Sequence, residues 1–232
     1  MIIIPARLQS VRFPRKLLAT IHQVPMIVAT ARNAQKVDEV VVACDDVLLL
    51  KVCEDFAIPA ILTDKTHTSG TDRCAQACQI LQLDPQMPVV NLQGDEPFLE
   101  HEVIATLLKA SQDTPFMHTC AKIITPQEAN DPNWVKVVLG DKNRALYFSR
   151  APIPYDRDQK GHPFLGHIGI YGFQVHNLLE FCNLPKSPLE EIEKLEQLRA
   201  LYHQKPIQVS IVQSHSLGID TPQDLENALK RC

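Results

Sequence analysis

Short apolar runs alternate with longer segments of helical period through the first half of the chain. The apolar runs predict buried strands at residues 2–4, 39–43, 60–62 and 89–92. The segments beside them predict helices at residues 25–35, 46–56, 71–81 and 100–111. Alternating strands and helices are typical of βαβ units. The pattern therefore predicts an α/β fold with a mostly parallel central sheet and helices on both faces.

From residue 116 onward the pattern changes, because strand-like runs follow one another with fewer helices between them. These runs lie at residues 117–123, 135–139, 145–149 and 167–173. Parallel neighbours need long crossover connections, so we expect a smaller, part-antiparallel sheet region in this half. The irregular stretch 150–166 is long enough to predict a functional or mobile loop.

Two segments near the C-terminus carry the signals of a helix start. Ser187, Pro188 and Glu190 have the spacing of a capping box, and a second helix is predicted to begin at Thr221. The first signal predicts one helix through SPLEEIEKLEQLRALYH, residues 187–203. Its expected apolar stripe consists of Leu189, Ile192, Leu195, Leu198 and Leu201, and its polar residues Glu191, Lys194 and Arg199 are expected to face elsewhere.

Composition narrows the class of protein. The 232 residues suit one domain, residues 1–232, and 45% hydrophobic residues are ordinary for a globular chain. A net charge of -4 without a basic stripe argues against nucleic acid as a partner. Seven cysteines without zinc-ligand spacing suit free thiols in the cytoplasm. With no signal segment and no apolar run of about 18 residues, we expect neither secretion nor membrane insertion.

A basic loop follows the first predicted strand, in IIIPARLQSVRFPRK. Arg7, Arg12, Arg15 and Lys16 occur there with Ser10 before any helix begins. Open α/β sheets bind ligands at the carboxyl ends of their strands, and converging cations suit the phosphates of a nucleotide. A solvated surface loop is the alternative, since the chain has no Gly-rich phosphate motif.

Carboxylates follow two strand-like runs. Asp95 and Glu96 come after the run VVNL, and Asp220, in GIDTP, comes after the strand-like run near the C-terminus. Mg²⁺ takes one or two carboxylates together with phosphate oxygens and water, so Asp95 and Asp220 facing the basic loop would suit it. The alternative is that these carboxylates only complement the helices that follow. A third polar cluster is HTSGTDR at residues 67–73. Its residues either form an ordinary turn and helix cap or contact the base and ribose of a nucleotide.

Seven stretches together resemble the 3-deoxy-manno-octulosonate (Kdo) cytidylyltransferases, also called CMP-Kdo synthetases. They are IIPAR..S.R.P.K at 3–16, HTSGTDR at 67–73, NLQGDEP at 91–97, ALYFSRAPIPYDRD at 145–158, HIGIYGF at 167–173, SPLEEIEKLEQLR at 187–199 and GIDTPQDLE at 218–226. The resemblance runs from end to end and keeps the order of the family's motifs.

This resemblance implies a homodimeric nucleotidyltransferase that uses CTP and Mg²⁺ to activate Kdo for lipopolysaccharide biosynthesis. Carried over by position, the catalytic residues are Arg7, Lys16, Asp95 and Asp220, of which Asp95 and Asp220 bind metal. The nucleotide-binding residues are Arg7, Ser10, Lys16, Ser69, Arg73 and Gln93. The sugar-binding residues are Arg150, Arg157, His167, Tyr171, Glu196 and Gln197, and residues 116–175 are implied to form a sugar-binding and dimerisation subregion.

The chain departs from the family pattern at three places. Arg15 stands where the family usually has Gly, Gly166 stands where Arg is common, and the loop from 158 to 164 is short. Two alternatives to a Kdo enzyme follow: a transferase for a related sugar acid such as 8-amino-Kdo, and a catalytically silent nucleotide-binding protein on the same fold. The presence of Asp95, Asp220 and Lys16 argues against the silent protein.

Overall fold

The computed structural model describes residues 1–10, 12–216 and 218–230. Its strands are β1 (Ile2–Ala6), β2 (Thr20–Ile21), β3 (Val24–Pro25), β4 (Val40–Cys44), β5 (Ala60–Leu62), β6 (Pro88–Asn91), β7 (Met117–Ile124), β8 (Lys136–Leu139), β9 (Ala145–Ser149), β10 (Phe164–Gln174) and β11 (Ile207–Ile211). Within this described chain, nine of them form one sheet with β11-β7-β10-β6-β1-β4-β5 as its main path. Strands β8 and β9 extend from β10, and β2 pairs with β3 in a small separate hairpin.

The predicted fold class is confirmed. Strand β1 lies between β4 and β6 and is parallel to both, because a helix carries the chain back before each parallel neighbour. Strand β10 is antiparallel to β6, β7 and β8, and β8 is antiparallel to β9. The antiparallel strands of the second half thus join the same sheet as the parallel ones.

Helices cover both faces of the sheet. They are α1 (Met26–Ala34), α2 (Val47–Asp55), α3 (Gly70–Ile80), α4 (His101–Ala110), α5 (Pro126–Asn130), α6 (Val175–Asn183), α7 (Pro188–Glu193), α8 (Leu198–Tyr202) and α9 (Pro222–Leu229). Side chains alternate along β1, so that Ile2 and Ile4 enter the core under α1, α2 and α4. Ile3 enters the opposite core, under α3 and α6. A strand buried on both faces reads as a continuous apolar run, which explains the pattern at residues 2–4.

The single helix predicted over 187–203 is wrong. The capping box of Ser187 and Glu190 is present, but Lys194 adopts φ 55 and ψ 45, and this left-handed residue ends α7. Four of the five residues of the predicted stripe pack in the core, but Ile192 is 78% exposed, and Arg199, expected to face elsewhere, is buried in α8. The Arg199 guanidinium donates to both carboxylate oxygens of Glu190, at 2.9 and 2.6 Å. This buried ion pair clamps the two short helices together.

The structure adds elements that the sequence analysis did not predict. They are the β2–β3 hairpin, α5, α6 and β11. The second C-terminal helix is confirmed as α9, which has Thr221 as its N-cap and a capping box with Asp224. In the described ranges, no helix is long and apolar enough to span a membrane. Six cysteines there are free thiols, and Cys232 lies outside the described residues.

Candidate active site

The first strand brings the basic loop to the carboxyl-end edge of the parallel strands. β1 ends at Ala6, and a short 3-10 turn begins at Lys16. A cavity of about 670 Å³ opens beside this loop. It is lined by Pro5, Arg7, Gln9, Ser10, Arg12, Lys16, Leu17, Gly70, Gln93, Gly94, Asp95 and Asp220. The structure therefore brings all four predicted catalytic residues together with the predicted nucleotide residues Ser10 and Gln93.

Lys16 joins the two aspartates. Its Nζ contacts the carboxylate of Asp95 and lies 3.2 Å from Oδ1 of Asp220. Arg12 places a second cation 2.9 Å from the same Oδ1. Because one ammonium reaches both carboxylates, these lie no farther apart than about two hydrogen-bond lengths, roughly 6 Å. The Lys16 side chain is only 11% exposed, so salt screens its ion pairs less than it screens surface pairs.

Arg15 orients this lysine through a strained backbone. It adopts φ 54 and ψ 34, a left-handed conformation that glycine accepts without cost. Arg15 O accepts from Leu18 N at 2.9 Å, which closes the turn and turns Lys16 inward. The substitution of Arg for the family's usual Gly therefore leaves the loop conformation left-handed and adds strain.

Backbone contacts hold Asp220 beside Asp95. Ile219 N donates to Asp95 O at 3.0 Å, and the Ile219 side chain is fully buried. Asp220 N donates to Asp224 Oδ2 at 3.1 Å, in the first turn of α9. The prediction that Asp220 follows a strand is wrong, because residues 218–220 have no strand structure. A loop docked on the turn after β6 brings the two aspartates together instead.

Glu96 lies behind Asp95 and differs from it in environment. Burial, and then the neighbouring Asp95 carboxylate, raise the pKa of Glu96 to about 8. Glu96 Oε2 accepts from Ser216 Oγ at 3.3 Å, on the segment that leads to Asp220. Helix α4 begins only later, with Glu100 as its N-cap residue. The DE pair is thus divided: Asp95 faces the cavity, and Glu96 contacts the segment behind it.

A second cavity of about 330 Å³ adjoins the first, and Gln93 lines both. Its other lining residues are Val135, His167, Gly169, Tyr171, Lys194, Leu195, Glu196 and Gln197. Four of the six predicted sugar-binding residues therefore share one cavity. The strand β10 supplies His167 and Tyr171, and the break between α7 and α8 supplies Glu196 and Gln197.

Hydrogen bonds order the side chains of this second cavity. Tyr171 Oη donates to Gln197 Oε1 at 3.0 Å, and His167 Nε2 pairs with Thr119 Oγ1 at 2.9 Å. Burial lowers the pKa of His167 to about 3, so its imidazole is neutral at ordinary pH. Burial also raises the pKa of Glu196. The cavity thus offers a neutral imidazole, a phenol, an amide and a carboxyl group to a polyhydroxylated ligand.

Gly166, the second departure from the family pattern, lies beside this cavity. A Cβ at this position would come within 2.6 Å of Ile124 Cγ2. A side chain at position 166 would therefore require the Ile124 side chain on β7 to move. The packing of Ile124 thus matches the glycine of this chain.

Four predicted site residues lie outside both cavities. Ser69 is the N-cap of α3 and accepts from Asp72 N at 3.0 Å. Arg73 is fully buried and donates to Thr63 Oγ1 at 2.7 Å. Arg150 donates to the backbone oxygens of Glu193 and Pro132, at 2.8 and 2.9 Å. Arg157 is exposed on the loop before β10.

Sequence reasoning also missed lining residues. Gly70 belongs to the HTSGTDR cluster, but the prediction favoured its hydroxyls and Arg73 rather than its backbone. Gln9 gave no signal of its own beside the arginines of the loop. Lys194 was assigned to the outward face of a helix, and its position at the cavity follows from the break at that residue.

Comparisons with known proteins agree with this geometry. A family model described as cytidylyltransferase matches residues 1–207. A 3-deoxy-manno-octulosonate cytidylyltransferase of Helicobacter acinonychis (strain Sheeba) is 59% identical, over 99% of this chain and 96% of the relative. The enzyme of the same name from Wolinella succinogenes is 52% identical, over 99% of this chain and 98% of the relative.

One solved structure is similar along its whole length. A CMP:2-keto-3-deoxy-manno-octonic acid synthetase complexed with CTP superposes with a TM-score of 0.93 at 37% identity. The match covers 99% of this chain and 96% of the other.

Proposed function

The chain belongs to the 3-deoxy-manno-octulosonate cytidylyltransferase family, and from this premise we propose that it activates Kdo with CTP, giving CMP-Kdo and pyrophosphate for lipopolysaccharide biosynthesis. One observation carries the proposal most directly: Gln93 lines both cavities, so a nucleotide in the first meets a sugar acid in the second. The reaction joins ligands of these two kinds.

The first cavity suits the triphosphate of CTP. Arg7, Ser10 and Lys16 supply two cations and a hydroxyl, and Arg12 lines the same space. The anomeric hydroxyl of Kdo attacks the α-phosphorus, and the new P–O bond forms as the bond to pyrophosphate breaks. The protein does little covalent chemistry in such a transfer. Positioning and charge neutralisation by these side chains carry the rate.

Asp95 and Asp220 would hold Mg²⁺. In the described part of the chain, no group of three or more His, Cys, Asp and Glu side chains is arranged to hold a metal. A pair of carboxylates suits Mg²⁺, which completes its shell with phosphate oxygens and water. When bound, the ion neutralises charge on the phosphate and lowers the pKa of a coordinated hydroxyl. Lys16, which contacts both carboxylates, has further anionic partners in the triphosphate.

The second cavity suits the sugar acid. His167, Tyr171, Glu196 and Gln197 offer hydrogen-bond partners for its hydroxyl groups. Lys194 is the cation that lines this space, and it is our candidate for the sugar carboxylate. Arg150 and Arg157 do not line this cavity. We propose that they bind the sugar only if their loop rearranges or if they contribute to the site of the partner subunit in a dimer.

The proposal also places the protein in the cytoplasm as a homodimer. Six free cysteines in the described residues suit a reducing compartment. Sedimentation at micromolar concentration tests for the dimer. A monomeric protein would contradict the proposal that residues 116–175 form a dimerisation region.

Kdo-dependent release of pyrophosphate tests the function. The protein is mixed with CTP, Mg²⁺ and Kdo, and the same mixture without Kdo measures background hydrolysis. We expect release that saturates with both substrates. Absence of Kdo-dependent release from protein that still binds CTP would overturn the proposal.

A further inference from the structure

A chain of hydrogen bonds connects the two cavities through residues that neither cavity exposes. It runs from Glu196 through Thr71 and Asn91 to Gln93. Thr71 Oγ1 contacts Glu196 Oε1, Asn91 Nδ2 lies 3.1 Å from Thr71 Oγ1, and Gln93 Nε2 lies 3.1 Å from Asn91 Oδ1. Thr71 and Asn91 are 1% and 2% exposed, so water offers their side chains no alternative partner.

The donors and acceptors in this series of hydrogen bonds all follow one direction, which Glu196 sets. Thr71 Oγ1 donates to Glu196 Oε1, and this uses the single hydroxyl proton of Thr71. Thr71 Oγ1 can then only accept from its other neighbour, and this turns the Asn91 amide nitrogen toward it. The Asn91 oxygen consequently faces Gln93. Gln93 must therefore donate from its own amide nitrogen, because two amide oxygens cannot form a hydrogen bond with each other.

The last hydrogen bond of this series, from Gln93 to Asn91, determines which amide atom Gln93 presents to a ligand. With Nε2 used on Asn91, its Oε1 is the atom left for the cavities. This oxygen lies toward Gly70, which also lines the first cavity: a Cβ on Gly70 would be 3.6 Å from it. In residues 1–10, 12–216 and 218–230, no donor is within hydrogen-bond distance of Oε1. A hydrogen-bond acceptor of fixed orientation therefore stands at the boundary of the two cavities.

We propose that Thr71 and Asn91 are positioning residues, which lock the Gln93 amide so that its Oε1 accepts a hydrogen bond from a ligand hydroxyl at the cavity boundary. The inference rests on the proposed function. Either the ribose of CTP or the sugar acid can supply this hydroxyl. A hydroxyl that donates to Oε1 keeps its oxygen lone pairs directed away from Gln93, which suits a group that attacks phosphorus.

Thr71→Val and Thr71→Ser form the matched pair of variants. Valine has the shape of threonine but lacks the hydroxyl, whereas serine restores it. Each enzyme is assayed with ligands that differ by one hydroxyl: CTP against 2′-deoxy-CTP and 3′-deoxy-CTP by kcat/KM, and the sugar acid against its 2-deoxy analogue by calorimetric binding. Thermal melting checks that each variant is folded. A third variant, Asn91→Leu, removes the hydrogen bonds that Asn91 makes with Thr71 and Gln93.

For one of these ligand pairs, we expect the wild type and Thr71→Ser to prefer the hydroxyl-bearing ligand by roughly tenfold. In Thr71→Val and Asn91→Leu this preference should fall to about one, because the amide can then turn its nitrogen to the ligand. The pair that responds identifies the source of the hydroxyl. Equal losses for all ligands, with every ratio unchanged, would assign Thr71 a structural role only and overturn the inference.

A second readout does not depend on turnover. Side-chain amide signals of Gln93 in ¹⁵N NMR should show protons that exchange with solvent about tenfold faster in Thr71→Val than in the wild type. Equal exchange rates of these protons in Thr71→Val and in the wild type would contradict the proposal that Thr71 fixes the orientation of the Gln93 amide. A wild type that exchanges slowly but releases no pyrophosphate would contradict the proposed function and leave the lock standing.

Discussion

The Nζ of Lys16 lies 3.2 Å from the Asp220 carboxylate, although 204 residues separate the two in sequence. The same ammonium contacts Asp95, so one cation holds both proposed metal ligands at the mouth of the first cavity. Three cationic side chains, Arg7, Arg12 and Lys16, line this cavity together with the two carboxylates. This excess of cations allows two carboxylates to face a cavity that we propose binds a triphosphate.

Asp95→Asn should abolish turnover without unfolding the protein. The amide keeps the shape of the side chain but removes the charge that a divalent cation requires, so we expect kcat to fall by at least about 100-fold. Pyrophosphate release measures the loss, and thermal melting should show a native transition. Asp158→Asn is the control, because the Asp158 side chain is 62% exposed and pairs with Lys160 at the surface. A near-normal rate in Asp95→Asn would remove Asp95 from the mechanism.

Arg15→Gly should stabilise the protein. Arg15 has φ 54, and a left-handed conformation costs a residue with a Cβ roughly 1 kcal/mol relative to glycine. We expect the free energy of unfolding in urea to rise by up to about that amount. Lys186→Gly, at an exposed position outside the positive-φ residues, should instead destabilise slightly. A loss of stability in Arg15→Gly would show that the Arg15 side chain makes a compensating contribution.

Arg199→Met should be strongly destabilising. The substitution leaves the Glu190 carboxylate, 11% exposed, without its bidentate partner. Removing one member of a buried pair costs about 3–5 kcal/mol. Lys160→Met is the comparison, since it breaks an exposed pair that contributes less than about 1 kcal/mol. Similar midpoints for the two variants in urea would mean that the α7–α8 clamp contributes little.

His167 should contribute a loss of stability as the pH is lowered below about 6.5. Burial lowers the pKa of His167 from 6.5 to about 3, so between these values the unfolded chain binds a proton that the folded chain does not. One such histidine contributes a slope of up to about 1.4 kcal/mol per pH unit, with stability greater at the higher pH. The slope measured for His167→Asn should be lower than that of the wild type by this amount.

The exposed His162 offers the matched variant, and His162→Asn should leave the slope unchanged. Burial also lowers the pKa of His118 to about 4 and raises that of Glu96 to about 8, and these two groups contribute slopes of opposite sign in both proteins. Identical profiles for wild type and His167→Asn between pH 4 and 6 would contradict the buried, neutral state of His167.

Local sequence patterns determined most of the elements and much of the first cavity. The apolar run of β1 predicted a strand buried on both faces, and the cations after it predicted an anion site, because the end of a strand places the following loop at the sheet edge. Ser187 and Thr221 marked their helix starts through local capping chemistry. These features depend on residues within a few positions of one another, and such interactions can be read from sequence.

Tertiary structure alone decided the rest. The Leu-rich segment at 187–203 favours one helix locally, but the burial of Arg199 against Glu190 and the left-handed Lys194 divide it and deliver Glu196 and Gln197 to the second cavity. Arg73 and Arg150 resemble ligand contacts in sequence, yet the fold uses them to bind backbone and side-chain oxygens. Asp220 reaches Asp95 through a docked loop. Each outcome depends on partners distant in the chain, and the free energy of burying a polar group is decided by those partners, which no local pattern reports.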